Sequence, residues 1–214
     1  MIDKKILFST FVMAFFIGCD AGEKIQDVID DVKEDYFEEK VADVVDNTDT
    51  VLVGNNITLD EQIEAMLEIH NKARRDVGIV SDLTWSDTIA LDAQRYADTL
   101  ANSGSFKHDP KNHEGYSNGT YGENLYAAFP SKPSLSTATT AWVDEKQYYT
   151  YGKVGDDTTC EIDQQCGHYT QIIWENTSKI GCAISQYKTG SYKDGYVIVC
   201  KYQTPGNFIG QTPY

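Results

Sequence analysis

Apolar residues recur at helical spacing in three stretches of the chain. Thr58 and Glu61 form a capping box immediately ahead of the first stretch, so the sequence predicts that a helix begins at Thr58. The same spacing predicts a second helix over about residues 86–101 and a third over about residues 136–147. Within the first helix, His70 lies on the apolar stripe, and we interpret it as a packing residue whose ring nitrogens are hydrogen-bonded.

The last third of the chain has a different pattern, with runs of β-branched and aromatic residues. Such runs are typical of strands, and they predict strands over residues 168–174, 180–187 and 196–203. Helices early in the chain and strands late in it favour an α+β fold, in which helices pack on an antiparallel sheet.

The N-terminus has the pattern of an export signal. Lys4 and Lys5 precede an apolar run over residues 6–17, which is too short to span a bilayer comfortably. The residues that end at Cys19 resemble a bacterial lipobox, in which the cysteine is lipidated and becomes the mature N-terminus. The alternative is an ordinary secretory signal cleaved near Ala21. We therefore expect residues 1–18 to be a signal peptide, and Cys19 to be the lipidation site.

Acidic residues are concentrated between this signal and the first predicted helix. The chain of 214 residues has a formal net charge of -15. Residues 20–57 contain 12 acids and 3 lysines, which accounts for more than half of that charge. Mutual repulsion extends such a segment, so we expect residues 19–57 to be a tether and residues 58–214 to be the folded domain. Phosphate backbones would repel this protein, so we expect no nucleic-acid partner.

The chain has five cysteines, an odd number for an exported protein. Lipidation of Cys19 leaves four, which permit three disulfide pairings. We favour Cys160–Cys166 and Cys182–Cys200, because the second pair would join two adjacent predicted strands. The alternative, a zinc site held by all four thiolates, lacks the closely spaced cysteine pairs of such sites.

Several short motifs together carry a family resemblance. They are Gly-Glu-Asn-Leu at 122–125, Trp-Val-Asp-Glu at 142–145, Cys-Gly-His-Tyr-Thr-Gln-Ile-Ile-Trp at 166–174, Val-Cys-Lys-Tyr at 199–202 and Pro-Gly-Asn-Phe at 205–208. With these motifs, residues 58–214 resemble the CAP superfamily of cysteine-rich secretory, antigen 5 and pathogenesis-related class 1 proteins, as a bacterial exported member. Lys201 and Thr204 depart from the family pattern, and we interpret both as surface variation.

The resemblance implies an α-β-α sandwich with a central antiparallel sheet between helical layers. It also implies a cleft lined by His108, Glu123, Glu145 and His168, with His113 as the rival candidate for the first histidine. Two neutral imidazoles, from His108 and His168, can bind Zn²⁺ or another divalent metal. The carboxylates of Glu123 and Glu145 would orient the imidazoles or act as a base, which makes them the candidates for any catalytic role. The alternative is a polar network that only specifies the fold.

Three functions fit these features. We favour an exported binding module for a lipid, a small amphipathic ligand or a cell-surface component, attached to the membrane only through a lipid anchor. The protein would then be a cell-surface or periplasmic lipoprotein, or otherwise a secreted extracellular protein. A zinc-dependent hydrolase is less favoured, because no nucleophilic Ser or Cys and no His-Glu-x-x-His helix accompany the motifs. The third function is a structural or host-interaction protein with a vestigial cleft.

Overall fold

The computed structural model describes residues 58–113 and 121–214, in which helices cover both faces of one sheet. The helices are α1 (Leu59–Asp76), α2 (Asp87–Ser103), α3 (Pro110–His113), α4 (Leu135–Asp144) and α5 (Gly167–Ile172), and a 3-10 helix over Glu145–Tyr148 continues α4. The strands are β1 (Thr84–Trp85), β2 (Gly122–Ala128), β3 (Lys179–Gln186) and β4 (Tyr196–Gln203). None of the helices in these two ranges is long and apolar enough to cross a membrane. The predicted signal, Cys19 and the acidic tether lie outside the described residues.

The four strands lie in the order β1-β3-β4-β2. Strand β4 is antiparallel to both β2 and β3, which confirms the predicted antiparallel sheet for the three longer strands. Strand β1 differs, because it adds to β3 in the parallel direction through only two residues, Thr84 and Trp85. Strand β2, which the sequence pattern did not predict, forms the other edge of the sheet.

Strand β4 is buried on both faces, which is why its residues 196–200 form a continuous apolar run. Val197 and Val199 belong to the core beneath helix α2, whereas Ile198 and Tyr202 belong to the core beneath α1, α4 and α5. Successive side chains of a strand point to opposite faces, so β4 contributes to both cores at once. The two cores and three layers confirm the α-β-α sandwich that the family resemblance implies.

Local capping explains where the first two long helices begin. The Thr58 side chain accepts a hydrogen bond from the Glu61 backbone, and the Glu61 carboxylate accepts one from the Thr58 backbone, so the predicted capping box is confirmed. Ser86 caps α2 in a similar way, and Gly104 ends that helix with a left-handed backbone at φ 67°. These signals are local, so the sequence placed both helix starts correctly.

The prediction of a strand over residues 168–174 is wrong, because residues 167–172 form helix α5. Glu145, 23 residues before His168, accepts hydrogen bonds from the backbone N–H groups of His168 and Tyr169 at 3.0 and 3.1 Å. A carboxylate in this position satisfies N–H groups of the first helical turn, which have no partner within the helix. The apolar run that follows is buried on all sides, so its pattern does not distinguish a strand from a helix.

A buried arginine ties α1 to the segment that follows α5. Arg74 is fully buried, and burial lowers the pKa of its guanidinium group from the ordinary value. Its nitrogen atoms donate to five main-chain carbonyl groups, those of Ser81, Ile172, Trp174, Glu175 and Thr177. The planar guanidinium therefore fixes the end of α5, and with it the position of the cleft wall, relative to the first helix.

Candidate functional site

The four side chains that the family resemblance implies line one open cleft with a volume of about 840 Å³. Strand β2 runs along the cleft and contributes Glu123. The segment after α2 contributes His108, and Glu145 and His168 come from the 3-10 helix and α5. Four separate segments therefore have to fold before these side chains can meet.

The first pair consists of His108 and Glu123. Nδ1 of His108 lies 2.8 Å from Glu123 Oε1, and the backbone N–H of Asp109 donates to the same oxygen at 3.0 Å. The Glu123 side chain is only 2% exposed, whereas that of His108 is 40% exposed. The buried carboxylate therefore holds the imidazole from behind and leaves part of the ring open to the cleft.

The second pair consists of His168 and Glu145, whose Nδ1 and Oε1 atoms lie 2.5 Å apart. The other oxygen of Glu145 accepts the two backbone N–H groups at the start of α5, so one side chain both caps the helix and orients its histidine. The Trp142 ring stacks near the His168 ring, with 6.0 Å between the centroids. The cleft therefore contains two imidazole–carboxylate pairs.

The two pairs share a chemical consequence. A carboxylate only accepts hydrogen bonds, so Nδ1 of each imidazole carries the proton and donates it. In the neutral ring the lone pair is then on Nε2, which is the nitrogen that would bind a metal ion. Histidine ligands of zinc sites are commonly held in this way by a carboxylate. Within residues 58–113 and 121–214, no cluster of three or more His, Cys, Asp or Glu side chains is arranged to hold a metal ion. The candidate ligands are therefore the two imidazoles, with the remaining positions open to water or ligand.

His113, the rival candidate, is the last residue of helix α3, and its side chain lies outside the described part of the structure. The cleft lining contains His108, from the irregular segment ahead of that helix. The structure thus places His108 against Glu123, as the family motif implies.

Asn124 connects the cleft to a buried network. Its amide donates to the His168 carbonyl and to the Tyr202 hydroxyl, both at 3.1 Å. The Tyr202 hydroxyl in turn lies 3.0 Å from Nε2 of His70, and Nδ1 of His70 lies 2.9 Å from the Met66 carbonyl. His70 is fully buried, so its interpretation as a hydrogen-bonded packing residue is confirmed. Burial is the main reason that its pKa falls to about 4.

The glycine of the Gly-Glu-Asn motif makes room for another cleft residue. A Cβ atom on Gly122 would lie 1.9 Å from Oε1 of Gln171, so any other residue at this position would have to displace the Gln171 side chain. The same Gln171 oxygen accepts the backbone N–H of Gly206 at 2.9 Å. Gln171 is buried and lines the cleft, although it is not among the site residues predicted from the sequence. The signal was present, because Gln171 belongs to the motif that contains His168.

The interpretation of Lys201 as surface variation is wrong, although Thr204 is exposed as expected. The Lys201 side chain is only 1% exposed, and its ammonium group donates to Asp92 at 2.6 Å and to Asp109 at 2.9 Å. Burial by itself would lower the pKa of Lys201, but the hydrogen bonds to Asp92 and Asp109 outweigh it, so the pKa lies above its usual value. The sequence pattern gave no sign of this, because both partners are distant in the chain.

The structure contains both predicted disulfides, Cys160–Cys166 and Cys182–Cys200. Cys182 and Cys200 lie directly opposite each other on β3 and β4, as expected for a disulfide that joins two adjacent strands. Four disulfide-bonded sulfur atoms leave no thiolates for the alternative zinc site.

Comparison with known proteins identifies the family. The model of the CAP, or cysteine-rich secretory protein, family matches residues 67–202. Pathogenesis-related protein 1A of Nicotiana tabacum is 44% identical over 148 residues, which cover 69% of this chain and 78% of the tobacco protein. Pathogenesis-related protein 1 of Arabidopsis thaliana is 37% identical over 145 residues, which cover 68% of this chain and 78% of that protein.

The fold agrees with this assignment. The crystal structure of NaASP2 with Zn²⁺ has a TM-score of 0.58 and 22% identity, covering 75% of this chain and 88% of NaASP2. The structure of BmVAL-1 has a TM-score of 0.58 and 23% identity, covering 77% of this chain and 86% of that chain. The chain therefore belongs to the cysteine-rich secretory protein (CAP) family, and its folded domain is of the pathogenesis-related class 1 type.

Proposed function

We propose that this protein is an exported binding module whose cleft captures a small amphipathic ligand, such as a lipid, and holds one divalent metal ion of the zinc class. The proposal rests on one observation: two imidazoles share a cleft, and each donates Nδ1–H to a carboxylate that is mostly buried. Both rings are thereby kept in the tautomer whose Nε2 can bind a metal ion.

His108 and His168 would hold the metal through Nε2, and Glu123 and Glu145 would fix the orientation of the rings. A bound Zn²⁺ would supply a Lewis-acidic site for an oxygen atom of the ligand. Only two protein nitrogens are offered, so we expect weaker affinity than in a closed four-ligand site. A related fold, that of NaASP2, has a crystal structure with Zn²⁺, which supports the choice of ion.

The lining of the cleft supports an amphipathic ligand. The imidazoles and carboxylates form its polar part, whereas Phe106, Tyr126 and Ala127 contribute apolar surface. The volume of about 840 Å³ is within the range of sites for small molecules. A ligand with a polar head at the histidines and an apolar body along β2 would match both parts.

Calorimetric titration of ZnCl₂ into the purified, metal-free full chain tests the metal site. We expect one ion to bind to the wild type, and we expect His168→Ala and His108→Ala each to weaken or abolish binding. His113→Ala is the matched control and should bind like the wild type. If only His113→Ala loses binding, the first ligand is misassigned. If the wild type binds no zinc, the four side chains are better explained as a fold-specifying network.

Mass spectrometry of organic extracts tests the ligand. Protein purified from its own cells should release a lipid or small amphipathic compound that is absent from a Tyr126→Asp variant expressed in parallel. Recovery of no small molecule from either protein would favour a cell-surface protein partner or a vestigial cleft.

A zinc-dependent hydrolase remains the second candidate, with Glu123 or Glu145 as general base. Both carboxylates already accept hydrogen bonds from an imidazole and from the backbone, which favours a positioning role over that of a base. Ester and peptide hydrolysis that is lost with a chelator and restored by zinc would reverse this preference.

Export and anchoring form the remaining part of the proposal. Membership of the cysteine-rich secretory protein family and two disulfides support an exported protein. We propose that Cys19 carries the lipid anchor, which a Cys19→Ser variant tests. The variant should lose its acyl groups and appear in the soluble fraction. Wild-type protein that is already soluble, with residue 20 or later at its N-terminus, would contradict the anchor.

A further inference from the structure

Lys201 is a buried cation that lies directly behind one half of the cleft. It is opposite Glu123 in the pairing of β4 with β2, so both side chains leave the same face of the sheet. Its ammonium group lies 5.3 Å from the centre of the Tyr96 ring and 5.8 Å from that of Tyr121. Lys201 is not among the residues that line the cleft, and it is linked to the cleft through Asp109.

The segment that carries His108 has no regular secondary structure between Gly104 and Asp109, so other elements have to hold it. The Tyr96 hydroxyl donates to the Lys107 carbonyl at 2.8 Å, which fixes the segment on helix α2. On the other side of His108, Lys201 donates to the Asp109 carboxylate, and the Asp109 backbone donates to Glu123.

We propose that Lys201 is a positioning residue that fixes His108 in the cleft through Asp109. The Lys201 side chain ties Asp109, the residue next to His108, to strand β4, and Asp92 of helix α2 is a second partner of the same ammonium group. Ion pairs of this kind resist displacement because an unpaired buried charge is costly. The imidazole therefore meets Glu123 at a defined place, although it belongs to an irregular segment.

The other histidine has a different support. His168 is fixed by Glu145 and by its position at the start of α5, and its hydrogen bonds to Glu145 and Asn124 do not involve Lys201. The two halves of the cleft are thus held independently, one by a charged network and the other by a capped helix. His168 can therefore serve as an internal control for any change at Lys201.

This inference deepens the proposed metal site and rests on it for its functional meaning, but its main test needs no metal. Imidazole ¹⁵N and ¹H signals of the metal-free full chain would be compared by NMR in the wild type and in Lys201→Met. We expect the His108 signals to shift or broaden and the His168 signals to stay in place. In the zinc titration we expect affinity to fall about tenfold, as for other residues that orient a ligand.

Two further variants keep the test decisive if Lys201→Met does not fold. Asp109→Asn removes the charged tie to the His108 segment, whereas the matched control Asp92→Asn removes the other partner of the same ammonium group. We expect the His108 signals to respond to Asp109→Asn and to change much less in Asp92→Asn.

Unchanged His108 signals in folded Lys201→Met or Asp109→Asn would overturn the positioning role. Equal changes at both histidines, or equal effects of the two aspartate variants, would also overturn it, since they would indicate a general loss of packing. A wild type that binds no zinc would refute the metal proposal while leaving the NMR comparison valid.

Discussion

The Tyr202 hydroxyl donates a hydrogen bond to Nε2 of His70 across 3.0 Å in the core of the domain. The direction follows from the other side of the ring, where Nδ1 lies 2.9 Å from a carbonyl oxygen that can only accept. The imidazole is neutral near pH 7 because burial lowers its pKa to about 4, and both of its nitrogens are hydrogen-bonded. This arrangement has a consequence for acid stability.

We expect the free energy of unfolding to decrease as pH falls from about 6.5 to about 4, with His70 as one cause. The pKa of His70 is about 4 in the folded protein and close to 6.5 when the chain is unfolded. Between these values the unfolded chain binds more protons, so acid favours unfolding. The difference corresponds to about 3 kcal/mol. Below about pH 4 this contribution is already lost.

Urea unfolding of the wild type and His70→Gln at several pH values measures this contribution. Glutamine retains hydrogen-bonding capacity but does not titrate, so the variant should have a shallower dependence on pH in this window. Parallel curves for the two proteins would show that His70 is not responsible.

Arg74→Lys should lower the free energy of unfolding by about 3 kcal/mol or more, because a buried charge would lose most of its hydrogen bonds. Lysine has three donors at a single point, whereas the guanidinium reaches five carbonyl groups that are spread around it. Arg75→Lys is a matched control, because Arg75 is exposed. This substitution should lower the free energy of unfolding by no more than about 0.5 kcal/mol. Thermal and urea unfolding measure both variants. An equal loss of unfolding free energy in Arg74→Lys and Arg75→Lys would show that the hydrogen bonds to the five carbonyl groups contribute little.

Removal of the Cys182–Cys200 disulfide should cost more stability than removal of Cys160–Cys166. The partners are 18 residues apart in the first case and 6 in the second. In the chain-entropy model these loops correspond to about 3 and about 2 kcal/mol. Unfolding of the two double-alanine variants under non-reducing conditions measures the difference, and the reverse order would contradict the loop-length argument.

Glu145→Gln should weaken zinc binding by about 10- to 100-fold while the domain remains folded, because the amide cannot anchor the Nδ1–H of His168 as a charged acceptor does. Glu161→Gln is the control, since that residue is exposed and outside the cleft lining. Calorimetry gives both affinities. Equal affinity of Glu145→Gln and the wild type would mean that His168 does not need its carboxylate.

Local patterns were sufficient for much of this protein. The capping box at Thr58 and the cap at Ser86 involve neighbours in the chain, so the sequence predicted both helix starts. The strands around Cys182 and Cys200 were predicted from β-branched and aromatic residues, and their pairing made one disulfide predictable. The cleft residues came from motif resemblance, which the sequence carries without revealing the geometry.

Tertiary contacts decided the rest. Residues 167–172 are helical because Glu145, 23 positions earlier, caps their first turn. Lys201 is buried because Asp92 and Asp109, 109 and 92 positions away, neutralise it. Local periodicity reveals neither the capping residue of α5 nor the charge partners of Lys201. Charge pairing and capping across the chain depend on which segments the fold brings together. The sequence by itself thus determined the elements with local signals and, through motif resemblance, four residues of the cleft, whereas only the folded structure determined what holds them in place.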